Sequence, residues 1–107
     1  MRICLIVPLI YPVLSFCQSI PELEQQLRQA SGSLEKMTLS YQLADAWLQQ
    51  DATKSIEYAK AAHHKSVELN DNGMAAEAAF LTSRAYHHIH DDRNEDVWLG
   101  SAIKYAM

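Results

Sequence analysis

The chain is poor in cysteine, glycine and proline, and each shortage excludes a kind of site. It has 107 residues, of which two are cysteine, three are glycine and three are proline. Both cysteines, Cys4 and Cys17, precede residue 18, so the rest of the chain has neither a disulfide nor a reactive thiol. Three scattered glycines cannot form the glycine-rich loops that cradle nucleotide phosphates. No segment alternates polar and apolar residues over a useful length, so no β-strand is predicted.

Charge excludes a second class of function. The chain has 9 Lys and Arg residues against 13 Asp and Glu residues, a formal net charge of −4, and it has no basic stripe. Such a chain repels phosphate backbones, so nucleic acid is not an expected partner. Its carboxylate pairs, Asp91-Asp92 and Glu95-Asp96, lie where loops and first helical turns favour acidic residues. We therefore expect no catalytic constellation and no cofactor.

The N-terminal segment, residues 1–17, predicts a signal peptide. Arg2 precedes an apolar run over residues 3–13, and the small residues Ser15 and Cys17 stand at −3 and −1 to a cut after Cys17. The run is too short for a comfortable transmembrane helix. The pattern predicts an exported, periplasmic or extracytoplasmic protein, whose formal net charge would be −5 once Arg2 is removed.

Two other interpretations of this segment stay open. A buried core strand would also be apolar, although the order of charge, apolar run and small residues is that of a leader. Lipid attached to Cys17 would make the protein a lipoprotein anchored in a membrane. The bulky Phe16 before the cysteine argues against lipidation, because that position normally holds a small residue.

Residues 18–33 predict a short N-terminal helix followed by a linker. Pro21 suits a first helical position, and Leu23 and Leu27 are four residues apart, as one face of a helix requires. Ser31-Gly32-Ser33 ends this helix, and Ser33 is expected to cap the next one.

Residues 34–107 predict two helical hairpins, 34–70 and 73–107. Apolar and small residues recur there at three- and four-residue steps, which is the spacing of amphipathic helices. The four predicted stripes are Leu34-Met37-Tyr41-Ala44-Leu48, Ser55-Ala59-Ala62-Ser66-Leu69, Met74-Ala78-Leu81-Ala85-Ile89 and Val97-Trp98-Ala102-Tyr105-Ala106. The first helix also has a second apolar flank, Leu39, Leu43, Ala46 and Trp47, and a helix with two apolar flanks is packed between neighbours.

Polar clusters predict the turns between these helices. Asp51 or Thr53 is expected to cap the helix that follows it, and the cluster 70–73 is expected to form a turn. The cluster 90–94 is expected to form a longer polar loop. The prediction is therefore an all-α chain.

The two hairpins resemble tetratricopeptide repeats. The match to the repeat consensus is degenerate: the turn of the first hairpin is shorter than standard, that of the second is longer, and Thr82 replaces a glycine. The resemblance implies antiparallel hairpins stacked as a short α-solenoid, which binds a protein or peptide on the concave face lined by the first helix of each hairpin. The repeat-packing residues that it implies are Leu43, Ala44, Trp47, Ser55, Ile56, Ala59 and Ala62 in the first hairpin and Leu81, Thr82, Tyr86, Ala102 and Ile103 in the second.

The whole layout also resembles the extracytoplasmic front of bacterial sensor histidine kinases, especially those of Bacteroidetes. The phrases LADAWLQQDATKSIEYAKAA and NGMAAEAAFLTSRAY carry this resemblance. It implies the sensory or scaffolding front of an exported signal-transduction protein of the two-component type. The chain contains no phosphoacceptor helix and no nucleotide-binding domain of a kinase, and it stops in an apolar stretch, 103–107, without a cap. We therefore expect a truncated array.

Three alternatives involve other residues. His87 and His90 could share a helix face and bind a transition metal with Asp91 or Asp92, or sense pH, although histidines near a helix C-terminus are commonly solvated or capping. The uncapped C-terminal helix could self-associate. Six aromatic residues could line a peptide groove, although their repeat spacing favours the core: Tyr41, Trp47, Tyr58, Tyr86, Trp98 and Tyr105.

Overall fold

The computed structural model describes residues 19–107. The predicted signal peptide, its alternatives and Gln18 lie outside the described residues. The described residues form five helices and no strand: α1 (Ile20–Gln29), α2 (Ser33–Trp47), α3 (Ala52–Glu68), α4 (Asn72–His88) and α5 (Asp92–Ala106). The all-α prediction is confirmed for this part of the chain.

Side-chain caps begin most of these helices. Ser19 and Glu22 form a reciprocal capping box at the start of α1, in which the Ser19 N–H donates to Glu22 Oε1 at 2.8 Å. Asp51 caps α3 by accepting from the N–H groups of Thr53 and Lys54. The predicted cap at Ser33 is wrong: Gly32 is the N-cap of α2, without a side-chain hydrogen bond, and Ser33 is the first helical residue.

The turn from α3 to α4 and the turn from α4 to α5 are the same three-residue corner. The N-cap residues Asp51, Asp71 and Asp91 lie 20 residues apart. In the corners the residues before Asp71 and Asp91 are left-handed, with φ of 58° at Asn70 and 61° at His90. The Asp71 N–H then donates to the Ser66 carbonyl at 2.9 Å, and the Asp91 N–H donates to the Tyr86 carbonyl at 3.0 Å. Both corners are therefore Schellman motifs that run directly into an aspartate N-cap.

This geometry corrects two predicted turns. The polar residues after Asp71 and Asp91 belong to helices, because each aspartate caps the helix that it precedes. The expected turn over 70–73 thus ends at Asp71, and the expected loop over 90–94 ends at Asp91. The turn of the second hairpin, 89–91, is also shorter than that of the first, 48–51, so the prediction of a longer second turn is wrong.

Two apolar clusters divide the core, and α2 contributes to both. The larger lies between α2, α3 and α4, and the smaller lies between α1 and α2. Tyr58 on α3 packs against both clusters, and its hydroxyl donates to Glu24 Oε2 on α1 at 3.1 Å. The larger cluster contains Ala44, Leu48, Ile56, Ala59, Leu81, Ala85 and Tyr86; the smaller contains Leu23, Leu39 and Leu43. The two predicted apolar flanks of the helix after Gly32 are confirmed.

Small residues let α3 approach its neighbours closely. Ser55, Ala59, Ala62 and Ser66 are fully buried along one line of this helix. The Ser55 hydroxyl donates to the Ala44 carbonyl of α2 at 2.7 Å, which is possible only because no bulky side chain separates the two helices.

Several residues of the predicted stripes are exposed instead of buried. Leu34 lies in the first turn of α2, and Leu69 and Ile89 directly follow the last residues of α3 and α4; all three side chains are exposed. Val97 lies in the middle of α5 but is 61% exposed, because the backbone of α5 packs on α4 alone among the described helices.

Candidate functional site

Most of the repeat-packing residues lie inside the fold. Trp47 is half-buried, and Ile103 is 57% exposed, so its expected packing role is not fulfilled within the described part of the chain. The buried members are Leu43, Ala44, Ser55, Ile56, Ala59, Ala62, Leu81, Thr82, Tyr86 and Ala102. These residues build the core, and among them Ala102 also lines the groove described next.

An apolar groove between α4 and α5 is the strongest candidate for a binding surface. Its volume is about 500 Å³. Phe80 on α4 is 49% exposed in it, and Ile103 on α5 borders its other side. The groove is lined by Ala76, Glu77, Phe80, Leu99, Ala102, Ile103 and Ala106. We call this surface the α4–α5 groove.

The regular N-caps show why this groove is open. Asp51 and Asp91 occupy the same position in α3 and α5, so residues of the two helices correspond at an interval of 40. Leu99, Ala102 and Ala106 therefore correspond to Ala59, Ala62 and Ser66, which are fully buried where α3 packs between α2 and α4. In α5 the same line has α4 on one side and no second helix of residues 19–107 on the other. The α4–α5 groove is thus the place where a further helix would complete the packing.

A polar rim borders the groove on the side of α2. The Tyr41 hydroxyl donates to Glu77 Oε1 at 3.2 Å, which links α2 to α4. Burial and the charge of Glu77 raise the pKa of Tyr41, and Arg84 opposes this shift. Because Glu77 also lines the groove, an apolar floor meets a charged rim, an arrangement common in protein interfaces.

His63 holds three helices together. Its Nδ1 lies 2.9 Å from the Ala75 carbonyl oxygen of α4, and since a carbonyl only accepts, Nδ1 carries the proton in this contact. Its ring forms T-shaped contacts with the rings of Trp98 and Tyr105 of α5, at centroid distances of 5.2 Å and 5.3 Å. Sequence reasoning missed this role; the available signal was the seven-residue spacing of Trp98 and Tyr105 on one helix.

The six aromatic residues divide between core and surface. Tyr86 is buried, and the other five are half-buried, so the core interpretation is correct in full only for Tyr86. Lys60 Nζ lies 5.3 Å from the Tyr86 ring and 5.8 Å from the Trp98 ring. Tyr86, Trp98 and Tyr105 therefore pack against α3, and unlike Phe80 they are not among the residues that line the α4–α5 groove.

Trp47 sits beside a separate cavity of about 580 Å³ where α1 begins and α2 ends. Its Nε1 is buried and has no hydrogen-bond acceptor among the described residues. Lys54 Nζ lies 5.5 Å from the ring centroid.

The structure does not bring His87 and His90 together around a common ligand position. His87 Nδ1 lies 3.2 Å from Glu95 Oε1 of α5. Asp91 caps α5, and its hydrogen bonds from Asn94 hold the pKa of this carboxyl below its usual value. Within residues 19–107, no group of three or more His, Cys, Asp or Glu side chains is placed to hold a metal ion.

Comparisons with known proteins add no family to this geometry. Protein-family models, curated proteins and solved structures were compared with the chain, and none matches it. None of the helices between residues 19 and 107 combines the length and the apolar character needed to cross a bilayer.

Proposed function

We propose that this chain is a protein-binding module that receives an amphipathic helix of its partner in the α4–α5 groove. The observation that carries the proposal is the exposure of Phe80 and Ile103 beside a line of α5 residues whose counterparts in α3 are fully buried. An apolar face of a partner helix would remove these side chains from water, at about 25 cal/mol per Å² of apolar area.

The proposal includes a solenoid-like stack of the tetratricopeptide type. Its support is the order of packing, in which each helix contacts the next and α2 also contacts α4. One feature departs from that repeat: Asp51 and Asp91 are 40 residues apart, whereas the standard repeat is 34 residues long. The hairpins here are longer than the family's, with helices of 17 residues in α3 and α4.

The cellular role that we propose is the sensory or scaffolding front of an exported signal-transduction protein. The leader-like order of residues 1–17 and the resemblance to sensor proteins support it. Expression in a Gram-negative host with mass spectrometry of the purified product tests the export step. We expect a chain that begins at Gln18. A product that keeps Arg2, found in the cytoplasm, would contradict export.

A displayed library of amphipathic helical peptides tests the binding function. We expect selection on the full chain to enrich helices with apolar residues at i, i+3, i+4 and i+7, and to give dissociation constants of about 1–100 μM, the range of modest helix-in-groove contacts. Substituting Phe80→Asp places a charge on the groove floor and should weaken binding at least about tenfold.

Leu34→Asp is the matched control, because Leu34 is an exposed apolar residue on α2 outside the α4–α5 groove. We expect peptides to bind this variant as they bind the parent chain. If no helical peptide is enriched, or if both variants lose binding equally, the groove is not the binding site.

A further inference from the structure

The outward side of α5 forms a second surface that no other helix of the described residues covers, and it shares only Ile103 with the α4–α5 groove. Ala102 of α5 is buried and Trp98 and Tyr105 are half-buried, so these three residues mark its inward side. A helix turns by about 100° per residue, which places a second set of residues on the opposite side. Every residue of this second set is exposed; Val97, Ile103 and Met107 are 61%, 57% and 97% exposed. This side, which we call the outer face, consists of Arg93, Asp96, Val97, Gly100, Ile103, Lys104 and Met107.

Gly100 lies at the centre of the outer face, and no contact within residues 19–107 requires a glycine there. Glycine in a helix interior is less favourable than alanine. A Cβ atom built at Gly100 meets no heavy atom within 4 Å. The other described glycines lie at helix starts, Gly32 as an N-cap and Gly73 in the first turn of α4. A missing side chain in the middle of an exposed helix does, however, let a second helix approach closely.

The residues on either side of Gly100 are complementary to one another in reverse order. When two copies of α5 lie antiparallel with Gly100 beside Gly100, Asp96 lies level with the partner's Lys104. Val97 lies level with the partner's Ile103. Each pairing occurs twice, because an antiparallel pair of identical helices has a two-fold axis. The pairing thus combines a glycine contact, two apolar contacts and two pairs of opposite charge.

We propose that the outer face of α5 is a homodimer contact in which two copies of this chain pack antiparallel about a two-fold axis beside Gly100. Apolar area at Val97, Ile103 and Met107 supplies the attraction, and the charges at Asp96 and Lys104 fix the direction and register. In the isolated chain Lys104 Nζ lies 5.5 Å from the ring centroid of its neighbour Tyr105. Because the Lys104 side chain is exposed and flexible, it can leave this ring on dimerisation and pair with the carboxylate of Asp96 in the second copy.

Charge reversal and its rescue test the register. Sedimentation equilibrium of the full 12.1 kDa chain, from about 1 to about 300 μM, should show a reversible monomer–dimer equilibrium. Asp96→Lys and Lys104→Asp should each weaken the dimer about tenfold, because each places two like-charged pairs across the axis. The double variant Asp96→Lys/Lys104→Asp should restore the parent dissociation constant to within about threefold.

A second variant separates association from folding. Gly100→Gln adds a side chain at the axis and replaces a poor helix residue with a better one. We expect it to lose the dimer while the thermal midpoint of the monomer rises, a combination that a purely structural role for Gly100 would not produce.

Glu57→Lys is the control for charge, because Glu57 is an exposed acid in the middle of α3, away from the outer face. It should leave the dimer unchanged. A chain that stays monomeric at every concentration would overturn the proposal, and so would a double charge variant in which the two single effects add instead of cancelling. Phe80 lies in the α4–α5 groove and outside the outer face. The effect of Phe80→Asp on peptide binding is therefore measured separately from the effect of the α5 variants on the dimer.

Discussion

At the scale of the single residue, the buried hydroxyl groups donate hydrogen bonds either within their own helix or to a neighbouring helix. The hydroxyls of Ser66 and Thr82 donate to carbonyls four residues earlier in their own helices, at 2.6 Å and 2.8 Å, so these bonds join no two helices. Ser55 instead donates to the Ala44 carbonyl of another helix. All three serine and threonine side chains are fully buried, so burial alone does not distinguish them.

Removing these hydroxyls should therefore have unequal effects. Ser55→Ala should lower the free energy of unfolding by about 1 kcal/mol, because it deprives α2 and α3 of a buried hydrogen bond. Ser66→Ala should change it by less than about 0.5 kcal/mol, since its bond joins no two elements and alanine favours the helix. Urea unfolding monitored by circular dichroism measures both values. Equal losses in the two variants would show that Ser55 does not tie the helices together.

Two half-buried tyrosines should make stability depend on alkaline pH. Burial raises the pKa of Tyr41 and of Tyr58, and the neighbouring Glu77 and Glu24 raise them further. A raised pKa in the folded state favours the neutral phenol, so this stabilisation is complete below pH 10 and is lost as pH rises through 10 toward the folded-state pKa values.

The double variant Tyr41→Phe/Tyr58→Phe should consequently lose less stability between about pH 9 and pH 11 than the parent chain. Urea unfolding at a series of pH values measures the two slopes. Identical slopes would mean that folding does not raise the pKa of either phenol.

At the scale of the helical element, the repeated corner explains where the helices begin and end. Each corner needs a left-handed residue before its aspartate cap, and the chain places Asn70 in one and His90 in the other. Asparagine tolerates that conformation well, whereas histidine has no comparable local hydrogen bond to offset it. The same backbone geometry is therefore built from residues of unequal suitability.

Glycine substitutions at the two corners should reveal this inequality. His90→Gly should raise the free energy of unfolding by about 0.5–1 kcal/mol, because glycine adopts a positive φ without strain. Asn70→Gly should change it by only a few tenths of a kcal/mol. Parallel thermal unfolding of the two variants measures the difference. A destabilised His90→Gly would indicate that the histidine ring makes a contact worth more than the strain.

The neighbours His63 and His64 give a matched test of how α3, α4 and α5 are joined. His63→Ala removes a hydrogen bond to α4 and two ring contacts to α5, and it should cost about 1–2 kcal/mol of stability. The His64 side chain is 74% exposed and contacts only Glu68 among the described ion pairs, so His64→Ala should be nearly neutral. Urea unfolding at one pH compares them directly, and similar losses would refute the role of His63.

For the molecule as a whole, periodicity predicted the elements better than it predicted their surfaces. The two flanks of α2 and the line of small residues in α3 followed from three- and four-residue spacing, because that spacing is fixed by helix geometry. The turns were misplaced because Asn72 and Asp92 look like loop residues, yet each follows an aspartate that caps a helix.

The candidate surfaces were harder to predict, for a physical reason. Phe80 and Ile103 have the hydrophobicity of core residues, and only the count of neighbouring helices makes them exposed. The number of neighbouring helices depends on how the whole chain packs, and it cannot be inferred from the type of residue at these two positions. The role of His63 was also hard to predict, since the seven-residue spacing of Trp98 and Tyr105 indicates a shared helix face but does not indicate which residue of α3 meets it.

Because the core is divided into two clusters, we expect the helices to unfold in a definite order, with α1 detaching before the rest of the fold. The helix α1 is attached through the small cluster and the Tyr58–Glu24 hydrogen bond, so its release would uncover Leu39 and Leu43 and leave the larger cluster intact. Such subglobal unfolding has a lower free energy than global unfolding. Amide hydrogens of α1 should therefore exchange with solvent well before those of α3, and the exposed flank of α2 would then be a transient apolar surface, open for a small fraction of the time.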